Sequence, residues 1–128
     1  MRGLSSVGGD TDIQKKEYER KKRYLIDFLL DIEDPDVTGR DDAAMELMHF
    51  GDDEVVEVLE RVGGNLDEHD VILSSCGESL GGIWIDREHF DMGAFEKLVP
   101  VAKGGVCIVV REGKQEWFKH YNLDPLSN

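Results

Sequence analysis

Long apolar runs are missing from this chain of 128 residues. The longest covers residues 106–110, whereas about 20 apolar residues are needed for a helix that crosses a bilayer. The opening residues also lack the apolar segment of a secretory signal, so we expect a cytoplasmic protein without membrane contact. The two cysteines, Cys76 and Cys107, lie within apolar patterns and are predicted to be buried free thiols rather than a disulfide.

Positive charge is scarce between residues 27 and 70, here called the acidic segment. It holds two basic and 16 acidic side chains in a chain of net charge −13, whereas residues 1–26 carry a net charge of +3. Such a surface repels phosphate backbones and attracts basic proteins, which argues against direct nucleic-acid binding. The acidic segment is therefore either a docking surface for a basic partner or a solvated face that keeps the protein soluble.

A basic run occupies residues 15–23, before the acidic segment. It has three interpretations: a solvated face, a surface that pairs with the acidic segment, or a contact with an acidic partner. Opposite charges within one small domain favour the second, although each exposed pair would contribute only about 0.2 to 1 kcal/mol.

Proline is scarce too, at three residues, and apolar side chains recur at helical spacing over most of the chain. Residues 106–111 have the composition of a strand, but their position in the pattern predicts a helix. We expect a disordered tail at residues 1–11 and a single domain at residues 12–126. The predicted helices span about 13–33, 38–49, 54–62, 68–83, 92–102 and 106–124. Thr38 or Asp41 is expected to cap the second helix and Asp52 or Asp53 the third.

An internal echo relates residues 43–62 to residues 76–101. Ala43 and Leu47 match Cys76 and Leu80 at an offset of 33 positions, and a second set of residues beginning at Val56 matches at an offset of 39. Repeats of this length that cannot bury their apolar faces alone usually stack as solenoids. The echo predicts two helical hairpins, with Leu47, Leu59, Leu80 and Leu98 buried.

The chain resembles the HEAT-repeat family at residues 40–47 before Gly51-Asp52, at Val58-Leu59, and at residues 80–83. The resemblance implies an all-α fold, a short right-handed α-solenoid of six to seven helices in stacked antiparallel hairpins. HEAT-repeat proteins bind partners on the concave face formed by their second helices. By that resemblance, Glu57, Glu60, Arg61 and Lys97 would point toward a partner.

Trp84 follows two glycines and is predicted in a loop with the acidic residues Asp86 and Glu88 nearby. A tryptophan in such a rim is typical of an interface anchor. The alternative is that Trp84 and Phe90 fold back and cover the end of the stack.

Histidine pairs at Glu68-His69 and Glu88-His89 invite a metal interpretation, but no second ligand follows at the spacing of a metal site. HEAT-like deoxyhypusine hydroxylases bind iron with repeated His-Glu pairs, whose order is the reverse of that found here. His49 is expected at a helix end, where an imidazolium stabilises terminal carbonyls. No phosphate loop or nucleophile–base pair is recognisable, so we expect no cofactor, no metal and no enzymatic activity.

These observations predict a non-enzymatic, monomeric module that binds a basic protein. The favoured function is a small inhibitor or immunity protein that neutralises a partner such as a nuclease toxin. The residues predicted to contact the partner are Asp52, Asp53, Glu57, Glu60, Arg61, Trp84, Asp86 and Glu88. An assembly adaptor of HEAT type is the first alternative, and a HEAT-like enzyme or lyase is the second.

Overall fold

The computed structural model describes residues 2–123, with side chains from Asp12 onward. These residues form seven α-helices and no strand, which confirms the predicted all-α class. The helices are α1 (Arg2–Leu30), α2 (Val37–Glu46), α3 (Asp53–Gly63), α4 (Asp70–Asp86), α5 (Met92–Lys97), α6 (Pro100–Gly113) and α7 (Gln115–His120). A 3₁₀ turn (Leu47–Phe50) follows α2. None of the helices in this part of the chain combines the length and the apolar character that a membrane span requires.

Aspartate side chains begin three of the helices. Asp36, Asp52 and Asp91 cap α2, α3 and α5, each accepting a hydrogen bond of 2.9 to 3.0 Å from a backbone amide three residues later. An aspartate at this position satisfies an otherwise unpaired amide and opposes the positive end of the helix dipole. The predicted cap at Asp52 is confirmed, whereas α2 is capped by Asp36 and not by Thr38 or Asp41.

The helix predicted for residues 92–102 is divided in two. α5 ends at Lys97, and Pro100 occupies the first turn of α6 instead of ending a helix. Proline costs nothing at this position because the first amides of a helix have no intrahelical acceptor. Residues 106–110 are helical, as predicted, but they lie in the middle of α6.

The internal echo does not mark two hairpins with the same boundaries. Its first copy consists of α2, the 3₁₀ turn and α3, whereas its second copy runs from α4 through α5 into the start of α6. The leucine prediction is nevertheless confirmed, because Leu47, Leu59 and Leu80 are fully buried and Leu98 is 4% exposed. The right-handed solenoid remains a proposal.

α4 is the central helix and packs against α2, α3 and, most extensively, α6. Two glycines permit the close approach of α4 and α6. A Cβ atom at Gly77 would collide with the Ala102 carbonyl oxygen, and one at Gly105 would collide with the Ser74 carbonyl oxygen. Neither glycine could carry a side chain unless the two helices moved apart.

Both cysteines, Cys76 and Cys107, are buried, as predicted, and Cys76 is a free thiol. Cys76 is in the centre of α4, where burial raises the pKa of its thiol. A thiol in such surroundings acts as a small apolar side chain.

α1 begins at Arg2, well before the start predicted near residue 13, and ends at Leu30. Only the backbone of residues 2–11 is described. The division into a disordered tail at residues 1–11 and a domain at residues 12–126 stays a prediction, and residues 124–126 lie outside the described part.

Candidate partner-binding groove

A groove of about 590 Å³ lies between α1, α3 and α5, and is called the α1–α3 groove below. Its apolar lining is supplied by Ile26, Leu30, Val58 and Ala94. Its charged lining consists of Arg23, Glu54, Glu57, Glu60, Arg61 and Lys97. The groove therefore combines apolar surface for an aliphatic side chain with fixed charges of both signs.

The amphipathic pattern of α3 builds one side of the groove. Val55, Val56, Leu59 and Val62 recur at helical spacing and face the core. The intervening positions turn Glu57, Glu60 and Arg61 away from the core, and α5 adds Lys97. The four residues that the HEAT resemblance directs toward a partner thus line one groove.

Glu60 is half-buried in the groove and makes no ion pair with any residue in the described part of the chain. Burial raises the pKa of Glu60, and the neighbouring carboxylates of Asp91 and Glu57 raise it further. Lys97 and Arg87 act in the opposite direction without reversing the shift. An added cation at this position would therefore favour the charged form of Glu60.

The six charged groove residues carry no net charge, because three are acidic and three are basic. Arg23 and Glu54 are already paired with each other. The acidity of the wider surface therefore comes from residues outside the groove, and Glu60 is distinguished by its burial and its raised pKa.

Lys22 anchors α1 to the start of α3 beside the groove. Its side chain is buried, and Nζ lies 2.8 Å from Oδ2 of Asp52, 3.2 Å from Oε1 of Glu54 and 3.3 Å from Oε1 of Glu19. The hydrogen bond to Asp52 is the largest cause of a raised Lys22 pKa. For Lys21, Lys22 and Arg23, the interpretation that the basic run pairs with the acidic segment is confirmed.

Arg40 and Glu68 form a buried ion pair that the sequence did not indicate. The guanidinium binds both carboxylate oxygens, with Nη1–Oε1 at 2.9 Å and Nη2–Oε2 at 2.7 Å. Its Nε also donates to the Leu29 carbonyl oxygen at 3.1 Å. The pair ties the end of α1 to α2 and to the segment before α4, so both side chains serve the fold.

Asp52 and Asp53 were predicted to contact a partner, but both bind within the chain. Asp52 caps α3 and pairs with Lys22. Asp53 is exposed, and its Oδ1 atom lies 3.1 Å from Nη2 of Arg87, the residue that follows α4. A partner of either aspartate would have to compete with these internal cations.

The prediction that Trp84 lies in a loop is wrong. Trp84 lies in the last turns of α4 and is only 1% exposed. It packs edge-on against Phe90, whose ring also stacks on Tyr121 at a centroid distance of 4.7 Å. The alternative, in which Trp84 and Phe90 cover an end of the core, describes this arrangement, and no indole surface is left for a partner.

Asp86 and Glu88 lie at the C-terminal end of α4, apart from the groove. Both are exposed. Asp86 lines a polar depression with His49 and Arg87. Glu88 has a φ angle of 54° and follows the helix end, a position commonly occupied by glycine. The exposed residues among the predicted contacts therefore do not share one surface, and only Glu57, Glu60 and Arg61 line the α1–α3 groove.

The histidines have structural positions in this fold. His69 caps α4, accepting a hydrogen bond at Nδ1 from the Val71 amide at 3.2 Å. His49 lies in the last turn of the 3₁₀ segment. Between residues 12 and 123, no group of three or more His, Cys, Asp and Glu side chains is arranged to hold a metal ion.

Comparison with known proteins finds no matching family model, no similar curated protein and no similar solved structure. The resemblance to HEAT-repeat proteins therefore rests on the residues of this chain.

Proposed function

We propose that this protein is a non-enzymatic module that binds and neutralises a basic protein, as a small inhibitor or immunity protein neutralises a nuclease toxin. The observation that carries this proposal is the half-buried carboxylate of Glu60, which lies in the α1–α3 groove beside two further acids and has no ion-pair partner in the described chain. A carboxylate in such a place gains stability when a cation approaches.

A lysine or arginine side chain of the partner matches both the apolar and the acidic lining of the groove. Its aliphatic stem can lie on Leu30 and Val58, which are half-buried, while its charged group reaches Glu60. Removal of water from this contact strengthens the charge pair relative to one on an open surface. The groove thus supports recognition of a basic side chain at a defined position.

The remaining acidic segment supports attraction at longer range. Five of its 16 acids, Glu46, Asp52, Asp53, Glu54 and Glu68, make internal ion pairs. The other eleven retain their negative field, which raises the rate of encounter with a positive partner. Steering of this kind declines as salt is added, because the Debye length at physiological ionic strength is about 8 Å.

The experiment is to isolate the partner with the tagged full chain and to measure its binding kinetics with two variants. Glu60→Gln removes the groove carboxylate while keeping the shape of the side chain. Glu33→Gln removes an equal charge from an exposed acid outside the groove. We expect Glu60→Gln to raise the dissociation rate at least about tenfold, because a contact removed from water acts mainly on dissociation.

Glu33→Gln should leave dissociation unchanged and lower the association rate slightly at low salt, since a rim charge acts through steering. Equal kinetics for the two variants would contradict the assignment of the groove. A partner without excess positive charge would contradict the proposed function as a whole.

An assembly adaptor is the alternative function. An activity assay of the captured partner separates the two, because an inhibitor abolishes that activity and an adaptor leaves it intact.

The HEAT-like solenoid is our proposal for the finer fold, and it is supported by the packing of α2, α3 and α6 around α4. The free buried thiol of Cys76 supports the cytoplasm as the proposed location.

A further inference from the structure

A second groove, of about 760 Å³, runs along α6 and is called the α6 groove below. Its apolar lining consists of Met92, Phe95, Pro100, Val101, Ile108 and Leu123. It shares no lining residue with the α1–α3 groove. Its chemistry is therefore independent of the proposed function.

The exposed face of α6 supplies the open side of this groove. Val101 is 37% exposed and Ile108 is 47% exposed. Together with Gly104 and Arg111 they recur every three or four residues, so they form one stripe along the helix. This stripe has no helix of the described chain packed over it.

Gly104 lies in the middle of the stripe, and no contact with the described residues requires a glycine there. A Cβ atom there would have no other atom within 4 Å, whereas a Cβ at the adjacent Gly105 would collide with α4. Glycine within a helix is less favourable than alanine. A bare backbone at an exposed helical position does, however, allow another backbone to approach closely.

Two cations, Lys103 beside the stripe and Arg111 at its end, have no acidic partner among the described residues. Nζ of Lys103 lies 5.6 Å from the ring centre of Phe95, and the guanidinium of Arg111 lies 5.1 Å from that of Phe118. Neither cation forms an ion pair within residues 12–123. They are eight residues apart on one helix, which corresponds to about 12 Å along its axis.

We propose that the α6 groove binds an amphipathic helix of another protein, whose apolar face covers Val101, Gly104 and Ile108 and whose acidic side chains pair with Lys103 and Arg111. The separation of the two cations along the helix matches an extended ligand that carries two acidic side chains. Helices with one apolar face dock in grooves of this kind through residues at three- and four-residue spacing.

The first test uses the full chain and two synthetic helical peptides. Both carry leucine at three- and four-residue spacing. One has two glutamates eight positions apart beside the leucine face, and the other has lysines in their place. We expect the glutamate peptide to bind at least about tenfold more tightly, because two attractive charge pairs are replaced by two repulsive ones.

The net charge of −13 makes this test strict. At long range the chain attracts the lysine peptide, so a preference for glutamate can arise only from local contacts. The double variant Lys103→Glu/Arg111→Glu should reverse the preference. The control Lys15→Glu/Lys16→Glu changes charge equally at exposed lysines outside the groove and should retain the original preference.

The second test separates a binding role of Gly104 from a structural one. Gly104→Ala should raise the unfolding temperature by a few degrees, because alanine favours the helix, and should weaken binding of the glutamate peptide at least about fivefold, because the added methyl group holds the backbones apart. Gly93→Ala, at an exposed position in α5 outside the groove, should leave the affinity unchanged.

The proposal is overturned if the lysine peptide binds as tightly as the glutamate peptide, or if Gly104→Ala leaves the affinity unchanged. It is also overturned if sedimentation shows a dimer of the free chain that Ile108→Asp abolishes, because the occupant would then be a second copy. If deleting residues 124–128 is required before the peptide can bind, the chain occupies its own groove and the proposal fails as well.

Discussion

The two sides of α4 contact the rest of the protein through different kinds of interaction. Toward α1, α2 and α3, the residues that flank α4 form ion pairs, namely the buried Arg40–Glu68 and the exposed Asp53–Arg87. Toward α6, the contact depends on two glycines, Gly77 and Gly105, that let the helix backbones approach. We therefore expect the charged side to be sensitive to the loss of a charge, and the glycine side to be sensitive to an added side chain.

The ion pairs within the fold also determine how many acidic side chains remain available to a partner. Net charge alone suggests that all 16 acids of the acidic segment are available to a partner. Several of them instead cap helices or pair with cations inside the fold, including Asp36, Asp52 and Glu68. Glu60 differs because it is half-buried, borders apolar surface and has no ion-pair partner in the described chain.

The largest effect is expected from breaking the buried charge pair. Arg40→Ala should lower the free energy of unfolding by about 3 to 5 kcal/mol, because Glu68 would remain buried without a cation. The double variant Arg40→Met/Glu68→Leu should recover at least half of that loss, since neither charge is then buried. Chemical denaturation of the three proteins measures both values, and equal destabilisation of the single and double variants would contradict this explanation.

The glycine side is tested by two alanine substitutions in helices, which differ in whether the added methyl group meets a neighbouring helix. Gly77→Ala should cost about 1 to 3 kcal/mol, because its methyl group collides with the backbone of α6. Gly104→Ala should instead stabilise the chain by about 0.5 to 1 kcal/mol, because its methyl group meets no atom. Thermal unfolding compares them, and a similar loss at both positions would show that helix contact is not the cause.

Acid should weaken the charged side before the glycine side. The hydrogen bond from Arg40 lowers the pKa of Glu68. Burial alone would raise the pKa of Asp52, but bonds from Lys22 and the Val55 amide outweigh it and lower the pKa. A carboxylate with a lowered folded pKa stabilises the fold above its unfolded pKa, and this contribution disappears as the pH falls through the folded pKa.

We therefore expect the unfolding temperature to decline from about pH 5 downward. The Arg40→Met/Glu68→Leu variant should decline less over the same range, because it lacks one of the titrating groups. An identical pH profile for this variant and the unaltered chain would exclude Glu68 as a contributor.

The smallest effect is expected for the exposed pair of Asp53 and Arg87. The Asp53 side chain is 98% exposed, so Asp53→Asn should change the free energy of unfolding by less than about 1 kcal/mol. Chemical denaturation at low and high salt measures it. A loss as large as that of Arg40→Ala would mean that exposure does not decide which ion pairs matter.

Helical periodicity was sufficient to predict the fold class and the buried leucines, since apolar spacing reports directly on which side chains face a core. Helical periodicity did not predict the helix boundaries near proline and glycine, because these residues occur both inside helices and at their ends. The helix predicted for residues 92–102 runs through Pro100, whereas proline suits a helix start and α6 begins at this residue. Gly81 and Gly82 were interpreted as the end of α4, but Gly81 lies against Val106 of α6, and Trp84 therefore continues the helix.

The candidate groove was partly predictable. Glu57, Glu60 and Arg61 share one helix, so their common surface follows from their spacing. The pairing of Arg40 with Glu68 could not be predicted, because 28 positions separate them and the contact depends on how α1, α2 and α4 pack. Sequence spacing also could not show that the carboxylate of Asp52 is paired within the chain and that the carboxylate of Glu60 is not.

The most direct test of the account is the titration of the Glu60 carboxyl by NMR, in the free chain and bound to the captured basic partner. In the free chain its pKa should exceed the ordinary value of 4.5, because of burial and the acids beside it. Binding should lower this pKa, since a cation in the groove favours the charged form, and the affinity should rise with pH until Glu60 is ionised. An unchanged or higher pKa of Glu60 in the complex would contradict the claim that the α1–α3 groove receives a basic side chain.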